Sequence, residues 1–288
     1  MASDVRSVRG TQQKELVKVF EKVCYKHNRW QVWCDFVVMT AISISNAVDS
    51  THAKAREEMY CSLARKYSTD ELNCFAKMFA LTVSALDFDQ DQDFLGDLFM
   101  SLGLGNDSGG QFFTPYTVCR AMAAMTYGDD LKAKIEKQGW ISVNDPACGA
   151  GALLIAFANE CIRPGNDMNY QTSVLFVAQD IDLIAGCMCY IQLSLLGCAG
   201  YVVVDNTLTN PCTSIDGRAL IPKLSENIWY TPFYFRDIWH YRRSFWQVDK
   251  LIQSAPVPEV QTEFAFQSKM EEPAITLTEN EKGQLSFF

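Results

Sequence analysis

The alternation of short β-rich runs with helical segments between residues 140 and 206 constrains the fold of this chain more than any other feature. The segments follow one another as WISVND, ACGAG, ALLIAFANECI, SVLFVAQD, IDLIAGCMCYIQLSLLG and YVVVDN. Strands that alternate with helices of about 10–15 residues are typical of βαβ units, and such units build a parallel sheet. The sequence therefore predicts an α/β fold, a doubly wound sheet with a glycine-rich turn after its first strand.

Two further regions flank this pattern. Residues 11–83 carry apolar residues at helical spacing and no proline, with breaks near 46–50 and 68–70, which predicts helices. Beyond Gln253 the chain contains Pro, Glu and Ser without clear periodicity. We therefore expect a helical N-terminal region over 1–100, an α/β domain over 101–250 and a flexible acidic tail over 251–288.

Composition excludes several classes of protein. Apolar residues make up 48% of the 288 residues, which is too many for a disordered chain. No apolar run approaches the roughly 20 residues that span a bilayer, and the first residues lack the apolar stretch of a secretory signal. The formal net charge of −9 argues against a protein that coats nucleic acid over its whole surface. We expect a soluble, cytoplasmic protein without membrane contact.

Cysteine usage and a run of acids both raise the question of a metal. The 11 cysteines include no C-x-x-C pair, and only three histidines accompany them, so we expect reduced thiols and no metal site. The acids Asp87, Asp89, Asp91 and Asp93 alternate as in a calcium loop, but the glycine and glutamate that such a loop needs are missing. A negative N-terminal turn of the next helix explains them better.

The turn at residues 144–151, NDPACGAG, indicates a ligand site between a strand and a helix. Glycines let the backbone approach a ligand, but the turn fits neither the dinucleotide fingerprint nor the P-loop. Asp180, at the end of the second strand, suits the hydroxyls of a ribose, and Asn206, after the third, suits an adenine edge. Together they favour S-adenosylmethionine. Each also has a structural explanation, Asp180 as a helix cap and Asn206 as a turn former.

Four motifs in order make the resemblance specific. They are GQFFTP at 110–115, DPACGAG at 145–151, QDID at 179–182 and DNTL at 205–208. Together they resemble the N6-adenine DNA methyltransferases, especially the modification subunit of type I restriction systems, over about residues 90–210. The resemblance implies a Rossmann-like, S-adenosylmethionine-dependent fold, DNA and a specificity or partner subunit as partners, and a bacterial, phage or mobile-element host.

The resemblance also implies roles for individual positions. The segment that closes over the methionine end of the cofactor is Phe112, Phe113, Thr114 and Pro115. The glycine-rich turn would hold the same end through Asp145, Ala147 and Gly149. Asp180 would take the ribose, Ile181 would lie against adenine, and Asn206 would accept from the adenine amino group in place of the family's Asp.

The catalytic motif of the family is where this sequence departs from it. Methylation of adenine N6 requires an extruded base and an acceptor for the amino protons, which the family supplies as Asn/Asp-Pro-Pro-Tyr/Phe. No such tetrapeptide is present. Two segments are candidates, Asn210-Pro211 and Thr231-Pro232-Phe233-Tyr234, and we favour the second because it follows a strand-like run. The alternative function is a degenerate subunit that binds cofactor or DNA without catalysis.

Two segments indicate partners. Residues 229–246 hold nine aromatics among Arg236, His240, Arg242 and Arg243, which suits either single-stranded DNA or core packing. The last five residues resemble the bacterial sliding-clamp-binding peptide QL-[SD]-L-F. They are Gln284, Leu285, Ser286, Phe287 and Phe288. In that peptide the apolar side chains fill a pocket and the preceding tail supplies reach.

Overall fold

The N-terminal region is helical, as predicted. The computed structural model describes residues 2–104, 113–223 and 227–254, with short strands at 278–279 and 285–286. The first helices are α1 (Ala2–Cys24), α2 (Arg29–Asn46), α3 (Ala53–Ala64), α4 (Thr69–Phe88) and α5 (Phe94–Ser101). Asn28 caps α2, Ser68 forms a capping box with Glu71 at the start of α4, and Asp93 caps α5. The break predicted near 68–70 coincides with the start of α4, where the capping side chain satisfies free backbone N–H groups, and the break near 46–50 coincides with the end of α2.

The α/β region follows in the predicted order of strand, turn and helix. Its elements are α6 (Tyr116–Thr126), α7 (Asp129–Gln138), β1 (Ile141–Asp145), α8 (Ala152–Cys161), α9 (Tyr170–Ser173), β2 (Val174–Asp180), α10 (Leu183–Leu195), β3 (Gly200–Val204), β4 (Ile228–Tyr230), a 3₁₀ helix (Pro232–Phe235) and α11 (Asp237–Ser254). Two-residue strands β5 (Thr278–Glu279) and β6 (Leu285–Ser286) pair with each other in antiparallel fashion.

The main sheet has the order β1-β2-β3-β4. Strands β1, β2 and β3 are parallel, so Asp145, Asp180 and Val204 end at the same edge of the sheet. Strand β4 is antiparallel to β3, with Tyr230 opposite Tyr201 and Ile228 opposite Val203. The polypeptide after β4 therefore emerges at the opposite edge.

The two faces of the sheet build separate apolar clusters. Phe176, Ala178 and Val202 point to the face that packs with α8, α10 and the N-terminal helices. Val177 and Tyr201 point to the other face and pack with Trp239 of α11. Helices thus cover both faces, and the predicted α/β class is confirmed.

The helical region and the sheet belong to one compact unit that extends to Val248, and the remaining residues, from Asp249, form a second unit. Within the first unit α2 packs against α10, and Arg56 of α3 donates a hydrogen bond to the carbonyl oxygen of Ile228. The Arg56 guanidinium also pairs with Asp49 at 3.0 Å and stacks on Trp229. None of the described helices combines the length and the apolar character that a membrane-spanning helix requires.

Candidate cofactor site

The glycine-rich turn after β1 requires glycine at two positions. Gly149 and Gly151 have φ angles of +53° and +95°, which side chains rarely adopt. A Cβ at Gly151 would lie 2.8 Å from Sγ of Cys189, and one at Gly149 would lie 3.1 Å from the ring of Phe113. Backbone conformation and close packing therefore both disfavour a side chain at these two positions.

Asp180 lies beside this turn, at the end of β2. Its Oδ2 accepts a hydrogen bond from the backbone N–H of Gly149 at 2.8 Å, and its Oδ1 accepts one from that of Asp182 at 2.9 Å. The helix cap is a different residue, because Asp182 receives the N–H of Ala185 at the start of α10. Asp180 is therefore free of the capping role that was its structural alternative. Ile181, the residue predicted to lie against adenine, is 69% exposed next to it.

A cavity of about 170 Å³ opens in front of the turn. Its walls bring together several predicted residues, Phe113, Thr114, Asp145, Ala147 and Gly149. Burial raises the pKa of the Asp145 carboxyl, the nearby charge of Asp180 raises it further, and the hydrogen bond from Ala147 N–H opposes both. Pro115 stands just outside as the residue before α6, and Phe112 lies outside the described residues.

Phe113 is held over the turn by a row of aromatic side chains from the helical region. Its ring stacks on Phe99 of α5, with centroids 5.4 Å apart and planes at 29°. Phe99 in turn contacts Trp33 of α2, which packs edge-on against Phe20 of α1. The N-terminal helices therefore serve as the support for the segment that covers the cavity.

The alternating acids before α5 also reach the site, which the sequence pattern did not reveal. Asp93 lines the cavity while it caps α5, and its side chain is only 3% exposed. Gln192 of α10 donates to Asp93 Oδ1 at 2.7 Å and to the carbonyl oxygen of Ala150 at 2.9 Å. Asp91 Oδ1 accepts from the Tyr116 hydroxyl at 2.7 Å and so fixes the start of α6. The prediction that this stretch supplies the negative start of the next helix is confirmed for Asp93, which also has this second place in the cavity wall.

The loop after β3 lies at the same edge of the sheet as the glycine-rich turn. Gln179, nearly fully buried, donates to the carbonyl oxygens of Asp205 and Asn210 and accepts from the N–H of Cys212. Thr207 Oγ1 donates to the carbonyl oxygen of Pro146 at 2.5 Å. These bonds fasten the loop directly against the glycine-rich turn.

Asn206 acts as a turn former in this loop. Its Oδ1 accepts the backbone N–H groups of Leu208 at 2.9 Å and Thr209 at 3.3 Å. Both lone pairs of that oxygen are therefore committed to the backbone. This contradicts the expectation that the Asn206 carbonyl accepts from an adenine amino group, because a short amide side chain after a strand bonds more readily to its own chain.

Asn210 lies at the cofactor edge, whereas Thr231 does not. The side-chain amide of Asn210 donates to Asp205 Oδ2 at 2.6 Å, and its Oδ1 takes no hydrogen bond from any described residue. Asn210 is exposed and is followed by Pro211. Of the two candidate catalytic segments, this one is near the residues predicted to hold the cofactor.

Thr231 is a structural residue at the opposite edge of the sheet. It is 0% exposed, and its hydroxyl donates to the carbonyl oxygen of Cys198 at 2.7 Å and accepts the N–H of Gly200 at 3.0 Å. Gly200 begins β3, at the end away from the glycine-rich turn. The expectation of a catalytic segment at Thr231, Pro232, Phe233 and Tyr234 is contradicted, because β4 runs antiparallel and delivers it to the wrong edge.

The aromatic stretch 229–246 packs largely against the body of the protein. Trp239 is fully buried. Arg242 stacks on it and donates to the carbonyl oxygen of Gly139, while Arg243 stacks on Tyr234 and donates to its carbonyl oxygen. Burial lowers the pKa of both guanidinium groups. The core-packing alternative therefore describes these two arginines.

The predicted clamp-binding peptide is only partly within the described residues. The backbone of Leu285 and Ser286 forms β6, whereas Gln284, Phe287 and Phe288 lie outside them.

The fold, together with the residues at the carboxyl ends of β1 and β2, indicates the class of protein. An α/β sheet whose first three strands are parallel, with a glycine-rich turn after β1 and an acid at the end of β2, is an architecture that suits a nucleotide-type cofactor. The sequence matches the N-6 DNA Methylase family over residues 92–275, more than half of the chain. The protein belongs to this family, and its fold is a Rossmann-like α/β sheet with helices on both faces.

Other comparisons are distant. A solved structure from Listeria monocytogenes, titled as a class I S-adenosylmethionine-dependent methyltransferase, is 14% identical. The alignment covers 84% of this chain and 79% of that one with a TM-score of 0.36. No curated protein gives a significant match.

Proposed function

We propose that this protein transfers the methyl group of S-adenosylmethionine to N6 of adenine in DNA. The observation that carries the proposal is the meeting of the glycine-rich turn, Asp180 and the Asn210 loop at one edge of the sheet, in a chain of the N-6 DNA methylase family. The residues at this edge support this cofactor. Asp145 in the cavity wall suits a cationic methionine end, and Asp180 and the exposed Ile181 beside the turn suit ribose and adenine.

S-adenosylmethionine supplies an electrophilic methyl group on a positively charged sulfur. The residues of this chain then have separate tasks. The Phe113 segment covers the cavity, and the Asp180 carboxylate accepts from the ribose hydroxyls. Asn210 is the candidate acceptor for an N6 proton of an extruded adenine, because an accepted proton makes that nitrogen a better nucleophile.

The test is transfer of a labelled methyl group to unmethylated DNA, with N6-methyladenine identified in the digested product. We expect transfer by the natural chain and its loss in Asn210→Ala. The matched control is Thr209→Ala, an exposed neighbour in the same loop, which should keep the activity. Equal activity of the natural chain and Asn210→Ala would remove Asn210 from the mechanism.

A second candidate is a degenerate subunit that binds cofactor or DNA without catalysis. It is favoured by the residue after Pro211, which is Cys212 where the family has a second proline followed by an aromatic. The Cys212 N–H is also tied to Gln179. Suppose that the chain alone binds S-adenosylmethionine but transfers no methyl group, and that transfer occurs only after a partner subunit is added. This result would favour the second candidate over the first.

We also propose two macromolecular contacts. DNA is the substrate in the first candidate and the ligand in the second. The sliding clamp is the proposed partner of the C-terminal peptide, because the last five residues of this chain resemble the clamp-binding sequence. Deletion of residues 284–288 should abolish capture of the protein by immobilised clamp, and unchanged capture would refute this contact.

A further inference from the structure

Asp93 is a buried acid in the wall of the cavity, outside the four motifs that carry the family resemblance. Its Oδ1 accepts from Gln192 Nε2 at 2.7 Å and from the N–H of Gly96 at 3.0 Å. Its Oδ2 takes no hydrogen bond from the residues that the structure describes. A helix cap needs one accepting oxygen, so the burial of a whole carboxylate in the wall of a cavity has a cost that capping alone does not explain.

The carboxyl group is fixed in this position. A Cβ on Gly96 would lie within 2.0 Å of Asp93 Oδ2, so the first turn of α5 leaves room for the carboxyl only because residue 96 is glycine. Gln192 joins the carboxyl to the carbonyl oxygen of Ala150 in the glycine-rich turn. Asp93 is thereby held at a constant position relative to that turn.

The cavity that Asp93 faces is anionic. Asp145 is the second acid in its wall, and no described lining residue is Lys or Arg. The remaining wall is apolar or neutral, with Phe113 and Leu153 among its members. In such surroundings an unpaired carboxylate interacts strongly with a cation, because little water screens it. Burial raises the pKa of Asp93 to about 6, which leaves it charged at neutral pH.

We infer, on the basis of the proposed function, that Asp93 makes the cavity select the cationic methyl donor over its neutral demethylated product. When the methyl group leaves, the sulfur keeps the electron pair of the broken bond and becomes an uncharged thioether. S-adenosylmethionine therefore carries one more positive charge than S-adenosylhomocysteine. The negative charge of Asp93 therefore strengthens the binding of S-adenosylmethionine but not that of S-adenosylhomocysteine, which can leave the site.

The experiment is calorimetric titration of the full chain with each of the two compounds at pH 7.5. Asp93→Asn and Asp93→Ser remove the charge but keep a side chain that caps a helix. We expect both variants to bind S-adenosylmethionine about tenfold more weakly and S-adenosylhomocysteine within about threefold of the natural chain. The control, Asp97→Asn, removes an exposed acid from the same helix and should change neither affinity.

Each other outcome has a distinct meaning. Equal weakening of both compounds would make Asp93 a structural residue and overturn the inference. Unchanged affinity for both would overturn it as well. Failure of the natural chain to bind S-adenosylmethionine would instead overturn the proposed function, and the inference with it. The natural chain and its variants therefore report separately on the two claims.

Discussion

The backbone N–H of Gly149 donates a hydrogen bond of 2.8 Å to the carboxylate of Asp180. This bond joins the turn after β1 to the end of β2, and both positions are members of the family motifs. The carboxylate thus fixes the glycine-rich turn before a ligand is present. Ribose hydroxyls that bind Asp180 would meet a carboxylate already oriented by the protein, which reduces the ordering cost of binding.

Replacement of Asp180 by alanine should weaken cofactor binding selectively. The variant loses a charged acceptor for the ribose and the bond to Gly149, so we expect about 10- to 100-fold weaker binding of S-adenosylmethionine, the range for hydrogen bonds to charged groups. Calorimetric titration measures this. Asp130→Asn, which removes an exposed acid on α7, is the matched control. Equal binding by Asp180→Ala and the natural chain would contradict the ribose role.

Two glycine variants separate backbone strain from contact with Phe113. Gly149→Ala and Gly165→Ala both place a side chain at positive φ, at +53° and +93°. Each should therefore lower the free energy of unfolding by about 1 kcal/mol. A Cβ at Gly149 also meets Phe113 at 3.1 Å, whereas one at Gly165 meets nothing within 4 Å. Only Gly149→Ala should weaken S-adenosylmethionine binding. A similar loss in both variants would show that strain alone is responsible.

Replacement of Thr231 by alanine should reduce stability without an effect on the cofactor. The variant leaves the buried N–H of Gly200 without its side-chain acceptor, which costs about 1–3 kcal/mol. Urea unfolding should show this loss. Thr126→Ala, whose exposed hydroxyl bonds only to its own helix, should change stability by less than about 0.5 kcal/mol. A large loss of cofactor affinity in folded Thr231→Ala would contradict its placement at the far edge.

The order of the helices and strands and the acids at the ends of the strands could be predicted from the sequence, because both depend on local pattern. The direction of β4 did not follow from its pattern. Residues 228–230 are apolar whether the strand runs parallel or antiparallel to β3. The direction depends on the course of the chain after β3, and the first part of that chain is held by the distant side chain of Gln179 through Asn210 and Cys212. The preference for Thr231 failed for this reason.

Asp93 escaped the sequence argument for a similar reason. Its place at the start of a helix is local and was predicted, but its place in the cavity depends on Gln192, 99 residues away. A glutamine within an apolar helix gives no indication of its partner. The one available signal was Gly96, a glycine in the first turn of a helix, where it lowers helix propensity and indicates a close contact.

The charge of Asp93 should make the protein less stable above pH 6 than its neutral variant. Burial raises the pKa of this carboxyl from 3.8 to about 6, so between these values the folded chain binds more protons than the unfolded chain. Its contribution to the free energy of unfolding therefore falls as pH rises through this window. A shift of about two units corresponds to about 3 kcal/mol at most.

Asp93→Asn should accordingly be more stable than the natural chain at pH 7.5, with a smaller difference at pH 5. Urea unfolding of both proteins at the two pH values measures this. The Asp145 carboxyl, whose pKa is also raised, adds the same dependence to both proteins and cancels in the comparison. A stability difference that is independent of pH would contradict the assignment. A variant that gains stability while it loses selection for the methyl donor would identify Asp93 as a residue retained for binding at a cost in stability.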